Sequence, residues 1–117
     1  MNSKLQERAI QAATRFVERR GYEVLDEGWV PEGAERGIDI VAQDDETIVF
    51  IEVTANDGDA FGGEHAEREQ LESLAAKWLG QHSPENDVSV RFDAIDMIVV
   101  SADRALLRHH INSMGQV

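Results

Sequence analysis

Two acidic residues with the chemistry of metal ligands lie on two successive predicted strands, Asp39 on the first and Glu52 near the end of the second. Metal-dependent cleavage of a phosphodiester requires oxygen ligands that hold Mg²⁺ beside the scissile phosphate, and carboxylates suit that hard cation. It also requires a cationic side chain beside the developing negative charge. Because strand side chains alternate between two faces, the residue two beyond Glu52 shares its face, and this residue is Thr54. The sequence therefore supplies two candidate ligands without the expected cation.

The acidic pair and the other polar clusters each leave alternatives open. Asp39 and Glu52 are either metal ligands or a solvent-exposed pair at the edge of a sheet. Residues 56–59 (NDGD) match part of a calcium-loop pattern but lack its remaining ligands, so a polar turn is the better interpretation. His109 and His110 are adjacent and would not share a helix face, which makes them a poor metal pair.

The elements that would position these residues follow from the spacing of apolar side chains. Apolar residues at helical spacing predict helices, and runs of β-branched residues predict strands. The predicted helices cover 3–20, about 64–82 and 103 to about 111, and the predicted strands cover 22–25, 37–42, 47–54 and 88–101, the last as one strand or a pair.

The predicted order is αβββαβα in a single domain of residues 1–117, an α/β fold in which helices flank a mixed sheet. Residues 26–37 are predicted as a loop, and the polar residues 43–46 as a hairpin connection. The strand at 47–54 is nearly all apolar, as expected of a strand that is buried on both faces. An ionisable Glu52 near its end is therefore a candidate functional residue.

The charge and composition of the chain restrict the kinds of partner that it can bind. The chain has 11 basic and 23 acidic residues, a formal charge of −12. Since phosphate contacts by Lys and Arg dominate nucleic-acid affinity, binding to DNA would need a local basic face, for example Arg15, Arg19, Arg20 and Arg36. The absence of cysteine excludes disulfides and thiolate metal sites. No apolar run resembles a signal peptide or approaches the ~20 residues of a membrane span, so we expect a cytoplasmic protein without a membrane partner.

Several short segments in a fixed order carry a further signal. They are GYEVL at 21–25, GIDIV at 37–41, IVFIEV at 48–53, FG at 61–62, AAKWL at 75–79 and RFD at 91–93. This series resembles the YraN-like proteins, a bacterial family of the restriction-endonuclease-like (PD-(D/E)XK) superfamily, related in fold to Holliday-junction resolvases. The resemblance spans about residues 9–100. It implies a restriction-endonuclease-like fold and an Mg²⁺- or Mn²⁺-dependent nuclease, with Asp39, Glu52 and the Val53 carbonyl around the metal.

The chain departs from the family pattern at the residues that matter for catalysis. Where the family has Val-Glu-Val-Lys, residues 51–54 read Ile-Glu-Val-Thr, so Thr54 replaces the lysine. Where the family has Gly-Glu-Ile-Asp, residues 36–39 read Arg-Gly-Ile-Asp. A glutamate expected on the first helix falls at Ile10, with Glu7 one turn away. Because the superfamily can place this lysine on a neighbouring helix, Lys77 is the substitute that we would test first, with Arg36 as the other candidate.

Two functions remain open at this point. The first is a metal-dependent nuclease acting on branched or duplex DNA, with a degenerate site and weak or no cleavage, since loss of a transition-state donor typically costs about 10²–10³ in rate. The second is a catalytically silent protein-binding or assembly module, which an exposed apolar patch around Trp29, Phe61 or Trp78 would support. Trp29 and Trp78 themselves are interpreted as core or interface anchors rather than base-stacking platforms. A homodimer is compatible with either function, because symmetric dimers are the commonest assemblies.

Overall fold

The computed structural model of the protein describes residues 3–56, 67–82, 88–101 and 103–113. The predicted FG segment at 61–62, residues 57–59 of the polar turn and the predicted start of the second helix at 64 lie outside the described residues. The elements are α1 (Ser3–Arg19), β1 (Glu23–Trp29), β2 (Ile38–Asp44), β3 (Thr47–Asn56), α2 (Arg68–His82), β4 (Ser89–Ser101) and β5 (Arg104–His110).

A single five-stranded mixed sheet forms the centre of the fold. The strands lie in the spatial order β1-β2-β3-β4-β5. The neighbouring pairs are antiparallel except β3 and β4, which run parallel. Since parallel neighbours cannot be joined by a hairpin, α2 provides the crossover between them. The predicted α/β class, with helices flanking a mixed sheet, is confirmed.

The helix α1 covers one face of this sheet. Its buried stripe of Ala9, Ala13 and Val17 packs in the same cluster as Ile51 and Ile95, which have no more than 1% of their surface exposed. This stripe has the helical spacing that the sequence predicts. Backbone amides just after the helix turn back to its last carbonyls and close it, as a positive φ at the following glycine permits.

The helix α2 covers part of the opposite face. Leu74, Ala75 and Trp78 pack against Phe50 and other apolar side chains of β2 and β3. The Trp78 indole Nε1 donates to Asp26 Oδ2 at 3.0 Å, so its polar atom is satisfied although the ring is buried. The prediction that Trp78 is a core anchor is confirmed. Within the described residues, neither helix is long and apolar enough to cross a membrane.

The last element is a strand, and the predicted helix from 103 to about 111 is wrong. β5 pairs antiparallel with β4, with Met97 opposite Leu107. Ala105 and Leu107 alternate inward onto the α1 side of the core, while Leu106 between them is exposed. Two adjacent leucines suit a helix stripe as well as a strand. The open edge of β4 decides between them, because its backbone groups gain partners only if the chain continues as a strand.

The predicted loop at 26–37 is also partly wrong, because β1 continues to Trp29. A register shift between Val24 and Asp26 marks a bulge in its pairing with β2. Such a bulge keeps a strand paired across a stretch whose alternation of polar and apolar residues is broken. Trp29 lies partly buried against the α2-side core, as an anchor rather than in a loop.

Candidate functional site

The site begins where β2 and β3 stop pairing. Their register runs from Asp44 opposite Thr47 to Ile40 opposite Ile51. Beyond this last pair, the Val53 amide donates to Asp39 Oδ2 at 2.8 Å. The carboxylate of Asp39 therefore takes the place of a ladder acceptor, which satisfies the Val53 amide and fixes Asp39 beside β3.

Gly37 allows the chain to reach this position. A Cβ atom at residue 37 would overlap the carbonyl group of Trp29 and crowd the Cα of Val30. Only a residue without a side chain fits where the entry to β2 passes so close to the end of β1. The glycine before Ile38-Asp39 thus contributes to the placement of the acid.

Glu52 completes the acidic pair on the next strand. Its neighbours Ile51 and Val53 are buried in the core on the α1 side, so Glu52 points to the other face. Only 11% of its side chain is exposed, and Arg36 Nη2 lies 3.4 Å from its Oε2. The two acids and this arginine surround a depression of about 400 Å³ that is also lined by Gln6, Glu35, Thr54 and Leu71.

The surroundings of Asp39 disfavour the ionised form of its carboxyl group. Burial raises the pKa of the Asp39 carboxyl above its ordinary value. The hydrogen bond from the Val53 amide opposes this shift, and the neighbouring Glu52 carboxylate adds to it. A buried carboxylate held next to a second one is stabilised in its ionised form by a cation placed between them. The electrostatics of the pair therefore favour cation binding.

Gln6 on the first turns of α1 is a site residue that the sequence reasoning missed. Its Nε2 donates to the Val53 carbonyl at 3.0 Å, and its side chain also hydrogen-bonds Asp39. Its Oε1 is buried and has no hydrogen-bond partner among the described residues. One signal in the sequence could have pointed to Gln6. It is a polar residue on the apolar helix stripe of Ala9 and Ala13, and it lies one turn before Ile10, the position where the family has a glutamate.

Thr54 lines the site, but its hydroxyl is already engaged in a hydrogen bond. It is buried, and its Oγ1 donates to Asp96 Oδ1 on β4 at 2.6 Å. On the next strand, His110 Nε2 lies 3.0 Å from Asp96 Oδ2. The polar row that starts at Asp39 and Glu52 thus continues through Thr54 into β4 and β5. The sequence alone did not single out Asp96, and His110 was set aside as part of a poor metal pair because residues 103 to about 111 are predicted as a helix.

The two adjacent histidines lie on opposite faces of the sheet. His109 Nε2 is 2.9 Å from Asp93 Oδ2 on the α1 side, whereas His110 contacts Asp96 on the other side. They therefore cannot share a ligand. In the described ranges no group of three or more His, Cys, Asp or Glu side chains is arranged to hold a metal ion.

Lys77 lies outside the acidic site. It is exposed on α2 and lines a neighbouring depression with Glu35, Arg36 and Ser73, among others. Arg36 borders both depressions, and its guanidinium contacts Glu52. Of the two substitutes considered for the missing lysine, the structure brings Arg36 to the acidic pair.

Comparison with known sequences gives a consistent result. The profile of the uncharacterised protein family UPF0102 matches residues 10–97. A UPF0102 protein of Beutenbergia cavernae is 39% identical over 101 residues, covering 81% of this chain and 80% of the relative. A UPF0102 protein of Vibrio parahaemolyticus is 35% identical over 88 residues, 71% of each chain. One of Geobacter sulfurreducens is 30% identical over 117 residues, covering 96% of this chain and 89% of the relative.

Proposed function

The chain belongs to the uncharacterised protein family UPF0102, the family of YraN-like proteins, and from this membership and the geometry of the site we propose a divergent metal-dependent nuclease. Its substrate is duplex or branched DNA, and cleavage is weak. The observation that carries the proposal is the grouping of Asp39, Glu52 and Arg36, in which a guanidinium lies 3.4 Å from one of two neighbouring carboxylates.

The donor set of the site fits a hard divalent cation such as Mg²⁺ or Mn²⁺. Asp39 and Glu52 provide carboxylate oxygens, and the Val53 carbonyl lies beside them. Gln6 Oε1 is an orphaned buried acceptor whose side chain contacts both Asp39 and Val53. Since all four donors are oxygens, the chemistry of the set selects hard cations. A bound cation polarises a phosphate oxygen and supplies a nucleophilic water, which is the chemistry of metal-dependent hydrolysis.

Arg36 is the residue that compensates for the loss of lysine at position 54. Its guanidinium is permanently charged and forms bidentate contacts with phosphate, so it can bind and orient a phosphodiester beside the two acids. It cannot accept or deliver a proton at neutral pH. The site therefore keeps charge stabilisation and loses proton transfer, and this combination supports weak cleavage.

The surface around the site is suited to a short contact with nucleic acid. Arg36 and Lys77 border the depression next to the acidic pair, together with the polar side chains of Gln70 and Ser73. The formal charge of −12 limits the affinity away from these groups. Binding should accordingly weaken only gradually as salt rises, because the two cations of this depression neutralise few phosphates.

A catalytically silent assembly module is the second candidate, and one observation favours it. Thr54 is buried and tied to Asp96 by a 2.6 Å hydrogen bond. The position of the catalytic lysine is thus filled by a residue with a structural role of its own, which is the expected result if selection for cleavage has ceased.

The test compares Arg36→Ala with Lys77→Ala, a matched control that removes the same charge from an adjacent position. Each protein is incubated with labelled duplex and branched DNA in Mg²⁺ or Mn²⁺, and cleavage products are counted. At saturating DNA we expect slow metal-dependent cleavage that falls about 10²-fold in the Arg36 variant, whereas the Lys77 variant binds DNA more weakly and cleaves bound DNA at nearly the same rate. Loss in Lys77→Ala alone would contradict the assignment of Arg36. No cleavage by any form would favour the silent module.

A further inference from the structure

A second feature of the molecule lies away from the acidic site, along the exposed side of α1. Four basic residues share one stripe of this helix, at the helical spacing of positions 4, 8, 15 and 19. Their side chains are exposed, and the stripe is about 22 Å long at 1.5 Å per residue. In a chain with a formal charge of −12, such alignment of positive charge is not expected from composition.

The stripe forms one wall of a groove of about 430 Å³ between α1 and the hairpin of β4 and β5. Arg8, Arg15 and Arg19 stand on the helix side, and Arg104 stands on the strand side. Within the described part of the chain, Arg15, Arg19 and Arg104 make no ion pair. Asp103 also lines the groove, and its Oδ1 accepts a hydrogen bond from Ser101 at 3.0 Å.

The floor of the groove is apolar and only partly buried. It is formed by aliphatic and aromatic side chains that pack on the α1-side core and keep some surface exposed, Leu5, Ala12, Phe16, Ala105 and Leu107, with the partly exposed Val99 beside them. An apolar floor between basic walls suits a ligand that presents an apolar face with acidic edges. An amphipathic helix with Glu or Asp on the flanks of its apolar stripe has this arrangement.

We propose that this groove, which we call the α1 groove, binds an acidic amphipathic helix of a partner protein. Arg15 and Arg19 are one helical turn apart, so they match carboxylates spaced four residues apart on the partner. Arginine is suited to these contacts because its planar guanidinium pairs with carboxylates in a bidentate manner. The proposal is independent of cleavage at the acidic site.

The structure favours a peptide over single-stranded nucleic acid in this groove. A single strand binds through bases stacked on aromatic faces, and Phe16 is the aromatic residue that lines the α1 groove. Its ring is already covered by the Arg20 guanidinium at 4.9 Å and contacted by the His109 ring at 5.9 Å. The exposed Glu7 and Glu18 also flank the basic stripe, which confines a polyanion to a short contact.

The test uses a synthetic 16-residue helical peptide with leucines on one face and glutamates on its flanks. A scrambled peptide of the same composition and a single-stranded oligothymidylate of similar charge serve as competing probes. Binding is measured by fluorescence anisotropy, and the contacted surface is mapped by shifts of backbone amide signals in NMR spectra. Arg15→Glu/Arg19→Glu is compared with Arg68→Glu/Lys77→Glu, which makes the same change of charge on α2. A third variant, Ala105→Gln, narrows the floor without adding charge.

We expect the amphipathic peptide to bind and to shift amide signals of α1 and β5. Reversal of Arg15 and Arg19 should weaken binding about tenfold or more, while the α2 control changes it little. Ala105→Gln should also weaken binding, which shows that the floor takes part. Equal binding of the scrambled peptide, preferential binding of the oligothymidylate, or no binding of any probe would each overturn the proposal. Circular dichroism confirms that each variant is folded.

Discussion

Replacing Thr54 by lysine tests whether the lost cation explains weak cleavage. Thr54 shares its strand face with Glu52 and lies 2.6 Å from Asp96, whose side chain is 7% exposed. Removing the Thr54 hydroxyl alone would leave a buried carboxylate oxygen without this donor, at a cost of about 1.5–3 kcal/mol. A lysine ammonium can replace that donor to Asp96, so we expect a smaller loss of stability for Thr54→Lys. A restored transition-state donor should raise the cleavage rate about 10²–10³-fold, or about 2.7–4 kcal/mol.

The assay measures the initial rate of cleavage of duplex and branched DNA at saturating Mg²⁺ or Mn²⁺. Thr54→Val is the matched control, since it keeps the volume and removes the hydroxyl without adding a charge. We expect a gain in Thr54→Lys and no gain in Thr54→Val, which should unfold more easily in denaturant. If Thr54→Lys is folded and binds metal like the unmodified protein but cleaves no faster than Thr54→Val, the reasoning is refuted.

Three further predictions follow from the structure. Gln6→Glu should tighten Mg²⁺ binding several-fold in calorimetry, because a third carboxylate joins Asp39 and Glu52; unchanged affinity would remove Gln6 from the donor set. Gly37→Ala should lower the free energy of unfolding in urea by about 1–3 kcal/mol, since the added Cβ overlaps the Trp29 carbonyl; a neutral effect would contradict that close approach. Asp93→Asn should cost about 3 kcal/mol of stability in the same assay, because Arg91 and His109 both bond this fully buried carboxylate.

The pH dependence of stability provides a check on the prediction for Asp93→Asn. Burial acts to raise the pKa of Asp93, but hydrogen bonds from His109, Arg91 and the Asn112 amide outweigh it and hold the pKa below its ordinary value. The stabilisation is therefore complete above the unfolded pKa of about 3.9 and is lost as pH falls through the lower folded value. Acid unfolding should be less steep in Asp93→Asn, and an unchanged profile would contradict this role.

Much of the fold could be predicted from the sequence because most elements are locally consistent. The stripe of Ala9, Ala13 and Val17 on α1 and the apolar run of β3 each specify one structure. The last strand could not be predicted in this way, because Leu106 and Leu107 suit a helix and a strand equally well. Its structure depends on pairing with β4, which is a contact between elements and leaves no local signal.

The residues of the candidate site also divide into those that the sequence predicts and those that depend on how the elements pack. Asp39 and Glu52 could be predicted because alternation along neighbouring strands places them together. Gln6 and Arg36 reach the site from a helix and a loop, and their approach depends on how those elements pack. The sequence favours Lys77 as the substitute for the missing lysine, because the superfamily can place this lysine on a helix next to the catalytic strand. The structure instead places Arg36 at Glu52, and a hydrogen-bonded Asp96 beside Thr54 was not foreseen.

The central claim is that Asp39 and Glu52 form a cation site, and calorimetric titration with Mg²⁺ and Mn²⁺ tests it most directly. Asp39→Asn/Glu52→Gln is compared with Asp45→Asn/Glu46→Gln, which removes the same charge at the exposed turn between β2 and β3. We expect saturable binding that is lost in the first variant and kept in the control, and that weakens at acidic pH as Asp39 is protonated. Binding that survives in the first variant, or no binding to the unmodified protein, would contradict the claim.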